Sequence, residues 1–91
     1  MLKLAVIGYG YWGPNLVRNI LSTPNAQLSV VADLRSERLQ KVKSQYPSVE
    51  TTTDIQGVLK NPAIDAVLIA TPVFSHFELA QAALQNGKHV L

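Results

Sequence analysis

The sequence predicts an α/β protein whose doubly wound parallel sheet carries helices on both faces. Short apolar runs alternate with helical patterns along all 91 residues, and this rhythm is typical of parallel strands joined by right-handed crossovers. The first apolar run leads into a G-x-G-x-x-G turn, and an acidic residue follows the second run. These observations together predict a single domain with an open, Rossmann-like sheet.

The first strand is predicted at Leu2 to Ile7, because a nearly continuous apolar run is typical of a strand buried on both faces. Pro14 suits the first turn of the next helix, where its missing N–H costs nothing. The inward face of that helix is predicted to consist of Leu16, Val17, Ile20 and Leu21. The second strand is predicted at Leu28 to Ala32 and ends at Asp33.

The middle of the chain is predicted to hold two helices around a short strand. Ser36 is expected to be the N-cap of a helix that reaches Gln45 and turns Leu39 and Val42 inward. The β-branched residues from Val49 to Thr53 predict the third strand. Asp54 is expected to cap a brief helix that extends to Leu59.

The last part of the chain repeats the pattern of strand, helix and strand. Ile64 to Ala70 is predicted to be the fourth strand, and Ser75 with Glu78 has the form of a capping box, so that the fourth helix should begin at Ser75. Its inward stripe is predicted to consist of Phe77, Ala80, Ala83 and Leu84. His89 to Leu91 is predicted to open a fifth strand.

The composition excludes several classes of function. The net charge is +2, cysteine is absent, and no apolar run approaches the roughly 20 residues that a membrane span needs. The densest basic segment, Arg35 to Lys43, is interpreted as a solvated helix face rather than a nucleic-acid site. The sequence thus predicts a cytoplasmic protein with no metal site, no nucleic-acid partner and no membrane partner.

The glycine turn has the features of a phosphate-binding loop. Gly8 permits the tight turn, Gly10 lets a pyrophosphate approach the backbone, and Gly13 lets the helix pack closely on the sheet. The first helical N–H groups and the helix dipole would then meet the phosphates. The alternative is a turn that is rich in glycine only for packing.

Asp33 lies 20 positions after Gly13, the spacing of the acid that holds an adenosine ribose. Its carboxylate would accept both ribose hydroxyls and repel a 2′-phosphate, which predicts NAD in preference to NADP. Arg35 could instead pair with that phosphate or stack on the adenine, and Leu34 completes this predicted part of the site. The alternative for Asp33 is a solvated residue at a strand end.

Three aromatic residues, Tyr9, Tyr11 and Trp12, surround the turn. Contact with cofactor or substrate is open to them, although packing within the protein is the favoured role for each. Thr71 and Pro72 follow the fourth strand, at the end of the sheet where ligands bind, and are predicted to line the nicotinamide side. His76 is either a cofactor neighbour or an ordinary, partly buried histidine.

A longer pattern runs through Val6 to Gly13, then Ala70-Thr71-Pro72 with His76, then Ala80, Ala83-Leu84 and Gly87 to Leu91. It resembles the glucose–fructose oxidoreductase/inositol dehydrogenase (Gfo/Idh/MocA) family over nearly the whole chain. The closing segment is more specific than the glycine turn. The stretch from Gly8 to Asn19 looks most like members that act on nucleotide-linked sugars in bacterial surface-polysaccharide synthesis.

The resemblance implies a protein that oxidises a sugar, nucleotide-sugar or cyclitol hydroxyl by hydride transfer to NAD(P). In the family, a lysine of an E-K-P motif follows the segment that matches Lys88 to Leu91, and a C-terminal domain binds the substrate. Residues 1–91 are therefore expected to be the N-terminal dinucleotide-binding domain, cut off in its fifth strand, which binds cofactor but does not catalyse. Assembly into a homo-oligomer stays open, and the alternative is a free-standing nucleotide-binding module that senses or scaffolds.

Overall fold

Strands and helices alternate along the chain. The computed structural model describes residues 1–10, 12–71 and 73–90, with the backbone alone for residues 73–77. In chain order the elements are β1 (Leu2–Ile7), α1 (Gly13–Leu21), β2 (Ala26–Ala32), α2 (Ser36–Gln45), β3 (Glu50–Thr52), α3 (Ile55–Lys60), β4 (Ala66–Ile69), α4 (Val73–Gln85) and β5 (His89–Val90).

The strands form a five-stranded sheet in the order β3-β2-β1-β4-β5. Every neighbouring pair is parallel. Since β1 is central, the chain builds outward to β2 and β3 on one side and then crosses to β4 on the other. This reversal of direction creates a crevice at the carboxyl ends of β1 and β4, and the predicted doubly wound sheet is confirmed.

Two layers of apolar side chains cover the two faces of the sheet. Successive strand residues point to opposite faces, so Leu4 and Val6 join one layer while Ala5 and Ile7 join the other. The first layer receives α1 and α2, through Val17, Ile20, Leu39 and Val42. The second layer receives α3 and α4, through Val58, Leu59 and Ala83. Burial on both faces explains the nearly continuous apolar sequence of β1.

Several predicted strand boundaries are corrected. β2 begins two residues earlier than predicted, because Asn25 turns the chain with a φ of 64°. Its carbonyl oxygen accepts the N–H of Leu2 at 2.9 Å, and strand pairing starts at once. β3 and β4 are each shorter than predicted, although Ile64 stays buried outside its strand.

The helix starts were predicted less accurately. Ser36 is the first helical residue and Arg35 is the N-cap of α2. The capping-box prediction is wrong for α4, which begins at Val73 in the turn after β4 and so contains Ser75 in its first turn. The predicted cap of α3 is confirmed, since the Asp54 carboxylate accepts the N–H of Gly57 at 3.0 Å.

Two residues predicted to face the core are exposed. Leu21 is the last residue of α1, beyond the buried stripe that contains Val17 and Ile20. On α4 the buried stripe is centred on Ala83, with Leu79, Ala80 and Ala82 packed beside it, and Leu84 falls outside it. Both predictions extended a correct apolar face by one residue. The side chain of Phe77 and the whole of Leu91 lie outside the described residues.

Lys88 anchors the beginning of β5. Its side chain is only 4% exposed, and its Nζ donates to the carbonyl oxygen of Ile64 at 3.0 Å and to that of Asn61. These two carbonyls belong to the segment between α3 and β4. The buried ammonium group is thus hydrogen-bonded, as a buried charge must be, and it joins two separate parts of the chain.

Replacing Lys88 with Met should lower the free energy of unfolding by about 2 kcal/mol, because the buried carbonyl of Ile64 and the partly buried carbonyl of Asn61 lose a charged donor. Urea unfolding followed by circular dichroism measures the change. Lys41→Met is the matched control, since Lys41 is exposed on α2, and should change stability by less than about 0.5 kcal/mol. Equal stability of the two variants would contradict the role given to Lys88.

Candidate functional site

The glycine turn lies at the carboxyl end of the central strand and is held there from both sides. The N–H of Gly8 donates to the carbonyl of Ala32 at 2.7 Å, which ties the turn to β2. The N–H of Ala70 donates to the carbonyl of Ile7 at 2.8 Å, which ties it to the end of β4. The turn therefore spans the crevice that the strand order creates.

Gly8 and Gly13 are required by the packing of the protein itself. Gly8 has a φ of +99°, and a Cβ there would lie 3.0 Å from the backbone of Ala70 and 3.1 Å from Cγ2 of Thr71. A Cβ on Gly13 would lie 2.5 Å from the carbonyl oxygen of Gly8, closer than real contacts allow. Packing within the protein is therefore enough to explain why glycine stands at these two positions.

Gly10 is different, because no backbone atom explains it. The three atoms nearest to an added Cβ all belong to the guanidinium group of Arg38, at 3.1 to 3.7 Å. That group is the far end of a flexible side chain and can move aside. Once that side chain moves, Gly10 leaves the space expected where a ligand approaches the backbone.

The first turn of α1 favours an anion. Gly13 and Pro14 open the helix, and no acidic residue stands in its first turn. The first N–H groups of an α-helix lack partners within the helix, and its dipole places partial positive charge at that end. This helix start could bind a phosphate without a basic side chain of its own.

Asp33 is buried at the end of β2 and is fixed by the backbone around it. The carboxylate is 5% exposed. Its Oδ2 accepts the N–H of Tyr9 at 2.8 Å, and its Oδ1 accepts the N–H of Arg35 at 2.8 Å. The burial excludes the alternative of a solvated strand-end residue. A carboxylate has about four lone-pair sites, so capacity for ribose hydroxyls is left.

Arg38 is the site residue that the sequence analysis missed. Its Nη1 lies 3.5 Å from Oδ2 of Asp33 and above Gly10. Arg35, the predicted arginine, offers its backbone N–H to the carboxylate while its own side chain is exposed. The available signal was the start of α2 at Ser36, which places Arg38 in the first helical turn, beside the strand end.

The aromatic residues of the turn have separate surroundings. The ring of Tyr9 is buried in the layer under α1 and α2, and its hydroxyl donates to Oε1 of Gln45 at 3.3 Å. Burial raises the pKa of this phenol above its ordinary value. Tyr9 thus has the packing role that the sequence analysis favoured, whereas Trp12 is 60% exposed.

The remaining predicted residues flank the crevice or lie outside the described part. Leu34 is 77% exposed next to Asp33, and Thr71 meets Gly8 at the end of β4. Tyr11 and Pro72 lie outside the described residues, as does the side chain of His76. The structure therefore brings together Gly8, Gly10, Gly13, Asp33 and Thr71, with Arg38 added.

A groove of about 400 Å³ lies elsewhere, beside α3 and away from the glycine turn. Polar side chains dominate its lining, among them Lys3, Gln27, Glu50, Thr52, Asp54 and Asn61. Among the described residues no three His, Cys, Asp or Glu side chains group closely enough to hold a metal ion. The groove is not part of the candidate site.

Across all the residues that the structure describes, none of the helices has both the length and the apolar character of a membrane span.

A glycine turn that opens toward a helix start, beside a carboxylate at the end of the next strand, is how doubly wound α/β domains bind dinucleotides. The fold and the site define a protein of that class. Comparison with known proteins gives the family. The chain belongs to the oxidoreductase family with an NAD-binding Rossmann fold, GFO_IDH_MocA, whose model matches residues 2–91.

Two curated relatives match nearly the whole of this chain. The chain is 35% identical over 91 residues to the uncharacterised oxidoreductase YdgJ of Escherichia coli, covering 99% of this chain and 25% of YdgJ. It is 28% identical to the scyllo-inositol 2-dehydrogenase (NADP(+)) IolW of Bacillus subtilis, covering 99% of this chain and 25% of IolW. The chain thus spans about a quarter of the length of these relatives.

A solved structure agrees with the fold. The scyllo-inositol dehydrogenase of Lactobacillus casei, with bound NAD(H) and scyllo-inositol, superposes with a TM-score of 0.88 at 27% identity. The match covers 99% of this chain and 27% of that enzyme. The family resemblance predicted from the sequence is confirmed.

Two alanine substitutions should separate the two kinds of glycine. Gly13→Ala should lower the free energy of unfolding by about 2 kcal/mol or more, because its Cβ would collide with a backbone oxygen. Gly10→Ala should change it by less than about 0.5 kcal/mol, since only the end of Arg38 must move. Thermal and urea unfolding test both. Similar losses in the two variants would show that Gly10 too is required for packing.

Proposed function

We propose that residues 1–91 are the dinucleotide-binding domain of a dehydrogenase that oxidises a sugar, nucleotide-sugar or cyclitol hydroxyl with NAD. The observation that carries the proposal is that Gly10, in the turn between β1 and α1, is covered by the movable guanidinium group of Arg38, while the carboxylate of Asp33 contacts the same turn. The names of two relatives support the class of substrate, since the enzymes of Bacillus subtilis and Lactobacillus casei are both named as scyllo-inositol dehydrogenases. Because the chain spans only a quarter of the length of these relatives, the dehydrogenase activity is proposed for the whole protein.

The residues fit a dinucleotide laid across the crevice. Asp33 would accept the adenosine ribose hydroxyls, with Leu34 as an apolar neighbour of the adenine. The diphosphate would lie over Gly10 and the first turn of α1, and the nicotinamide would extend toward Thr71. When bound, the nicotinamide ring supplies the chemistry, because it accepts the hydride from the substrate carbon.

The described residues supply cofactor contacts rather than a catalytic base. The amine of Lys88 is held by two carbonyls away from the crevice. The lysine of the family's E-K-P motif follows the segment that matches Lys88, so Lys88 is not proposed as a base. The base and the substrate-binding surface would belong to a further domain of the whole protein. Turnover also requires the substrate carbon to be held against the ring. The isolated chain is therefore proposed to bind cofactor without catalysis.

NAD is proposed as the preferred cofactor over NADP. The Asp33 carboxylate is fixed by two backbone N–H groups and cannot turn away from a 2′-phosphate. Arg38 brings a compensating positive charge, but its side chain is partly exposed whereas Asp33 is buried, so solvent and salt screen the attraction of Arg38 more strongly than the repulsion of Asp33. A cytoplasmic location and assembly of copies stay predictions of the sequence.

The proposal is tested first at Gly10. Gly10→Val should weaken NAD binding by more than about tenfold, because the new side chain would occupy the space of the diphosphate. Titration calorimetry measures the affinity, and circular dichroism checks that the variant is folded. Exposed Gly87 offers the control, because its Cβ would meet nothing within 4 Å. Gly87→Asn tolerates the local φ of +75° and should bind normally. Unchanged affinity in folded Gly10→Val would contradict the proposed site.

The cofactor preference is tested at the charged pair. Arg38→Ala should widen the preference for NAD over NADP, and Asp33→Asn should narrow it, each by about tenfold. Arg35→Ala is the matched control, because that side chain is exposed and only its backbone contacts Asp33. Calorimetric titrations with both cofactors give the ratios. If Arg35→Ala shifts the ratio and Arg38→Ala does not, the 2′-position is governed by Arg35.

A further inference from the structure

The guanidinium group of Arg38 stands in the space that the proposed function gives to the diphosphate. A Cβ built on Gly10 would lie 3.1 Å from Nη1 of Arg38, 3.5 Å from its Cζ and 3.7 Å from its Nη2. A ligand that approaches the backbone of Gly10 must therefore meet this group first. Either the guanidinium blocks the ligand and has to be expelled, or it turns and binds the ligand itself.

The ion pair between Arg38 and Asp33 holds the guanidinium only loosely. Nη1 of Arg38 lies 3.5 Å from Oδ2 of Asp33, whereas a charge-assisted hydrogen bond spans roughly 2.7–2.9 Å. The side chain of Arg38 is 37% exposed, and exposed ion pairs contribute little to stability. Each oxygen of the carboxylate also accepts a backbone N–H. Moving the guanidinium away from Asp33 therefore costs little free energy.

A diphosphate is a better partner for the guanidinium than this carboxylate is. The diphosphate of a dinucleotide is a dianion, and the planar guanidinium offers five N–H donors in a fork that fits phosphate oxygens. The backbone of Arg38 is fixed in the first turn of α2, where the neighbouring Leu39 packs into the core. Only the flexible end of the side chain has to turn. Attraction to the dianion thus outweighs the loss of the loose ion pair, which favours binding over blocking.

We propose that Arg38 is a diphosphate-binding residue whose partner changes when the ligand arrives. Its guanidinium leaves Asp33 and pairs with the phosphate oxygens over Gly10, while the carboxylate takes the ribose hydroxyls. The inference rests on the proposed function, because it assumes a dinucleotide across the crevice. It follows that the ribose and the diphosphate bind cooperatively, since the diphosphate draws the guanidinium off the carboxylate that meets the ribose.

Adenosine and ADP-ribose separate the contribution of the diphosphate from that of the nucleoside, and calorimetric titrations of the whole chain measure both. Arg38→Met keeps the length of the side chain but removes its charge. It should weaken ADP-ribose binding about five- to tenfold and change adenosine binding less than about twofold. Arg38→Lys keeps the charge and should lose less affinity for ADP-ribose than Arg38→Met does.

Lys41→Met is the matched control, because it removes the same charge from an exposed position about one turn further along α2. This variant should bind both ligands as the wild type does. Raising the ionic strength should weaken ADP-ribose binding more in the wild type than in Arg38→Met, because salt screens the attraction between the guanidinium and the phosphates. A purely structural role of Arg38 would not change the salt dependence in this way.

The outcomes separate this inference from the proposed function. A wild-type chain that binds neither NAD nor ADP-ribose would overturn both. Unchanged ADP-ribose binding in Arg38→Met would keep the proposed function and overturn the inference alone. A gain in ADP-ribose affinity in that variant would show that the guanidinium blocks the site. Equal losses for adenosine and ADP-ribose would place its contact at the adenosine end, and either of these results would also overturn the inference.

Discussion

The carboxylate of Asp33 accepts the backbone N–H of Tyr9, and this contact joins the end of β2 to the turn that follows β1. A buried charge is tolerated only when hydrogen bonds replace its water, and here a second N–H and a guanidinium complete the replacement. The charge proposed to meet the ribose is thus the same charge that shapes the turn. Two backbone N–H groups hold this side chain in position before any ligand arrives.

The position of the glycine turn depends on the order of the strands in the sheet. β1 pairs with β2 and β4 along its length, and backbone bonds from both neighbours reach the residues just beyond it. The crevice is therefore held by the sheet rather than by a loop. A site supported in this way is preorganised, so little conformational entropy remains to be lost on binding.

The sequence predicted the fold well where the physical signal was redundant. Apolar runs of strand length separated by amphipathic helices determine the layer order, and the buried pairs Val17 with Ile20 and Leu39 with Val42 were predicted correctly. The ends of elements were predicted less well, because Ser75 satisfied a capping pattern that the turn after β4 does not use. A short sequence pattern does not determine where a helix begins, because contacts with distant parts of the chain also decide it and the local sequence does not contain them.

The site shows the same division. Spacing alone predicted that Asp33 and the three glycines lie together, because the motif describes backbone geometry. It did not identify Arg38, whose place beside Asp33 depends on where α2 begins and how it packs. Nor did the sequence distinguish buried Tyr9 from exposed Trp12. Aromatic residues of one turn look alike in a sequence, because their burial depends on how the turn packs against the sheet.

The length of β3 has a consequence for the behaviour of many copies of the chain. This strand forms one edge of the sheet and has only three residues, beginning with exposed Glu50. Just before the strand, Nζ of Lys43 donates a hydrogen bond to the carbonyl oxygen of Val49 at 3.0 Å. Exposed strand edges are templates on which other chains can add strands, and short, charged edges hinder such growth. The edge that β3 forms beside β2 is therefore a poor template for the growth of fibres, even when the protein is concentrated.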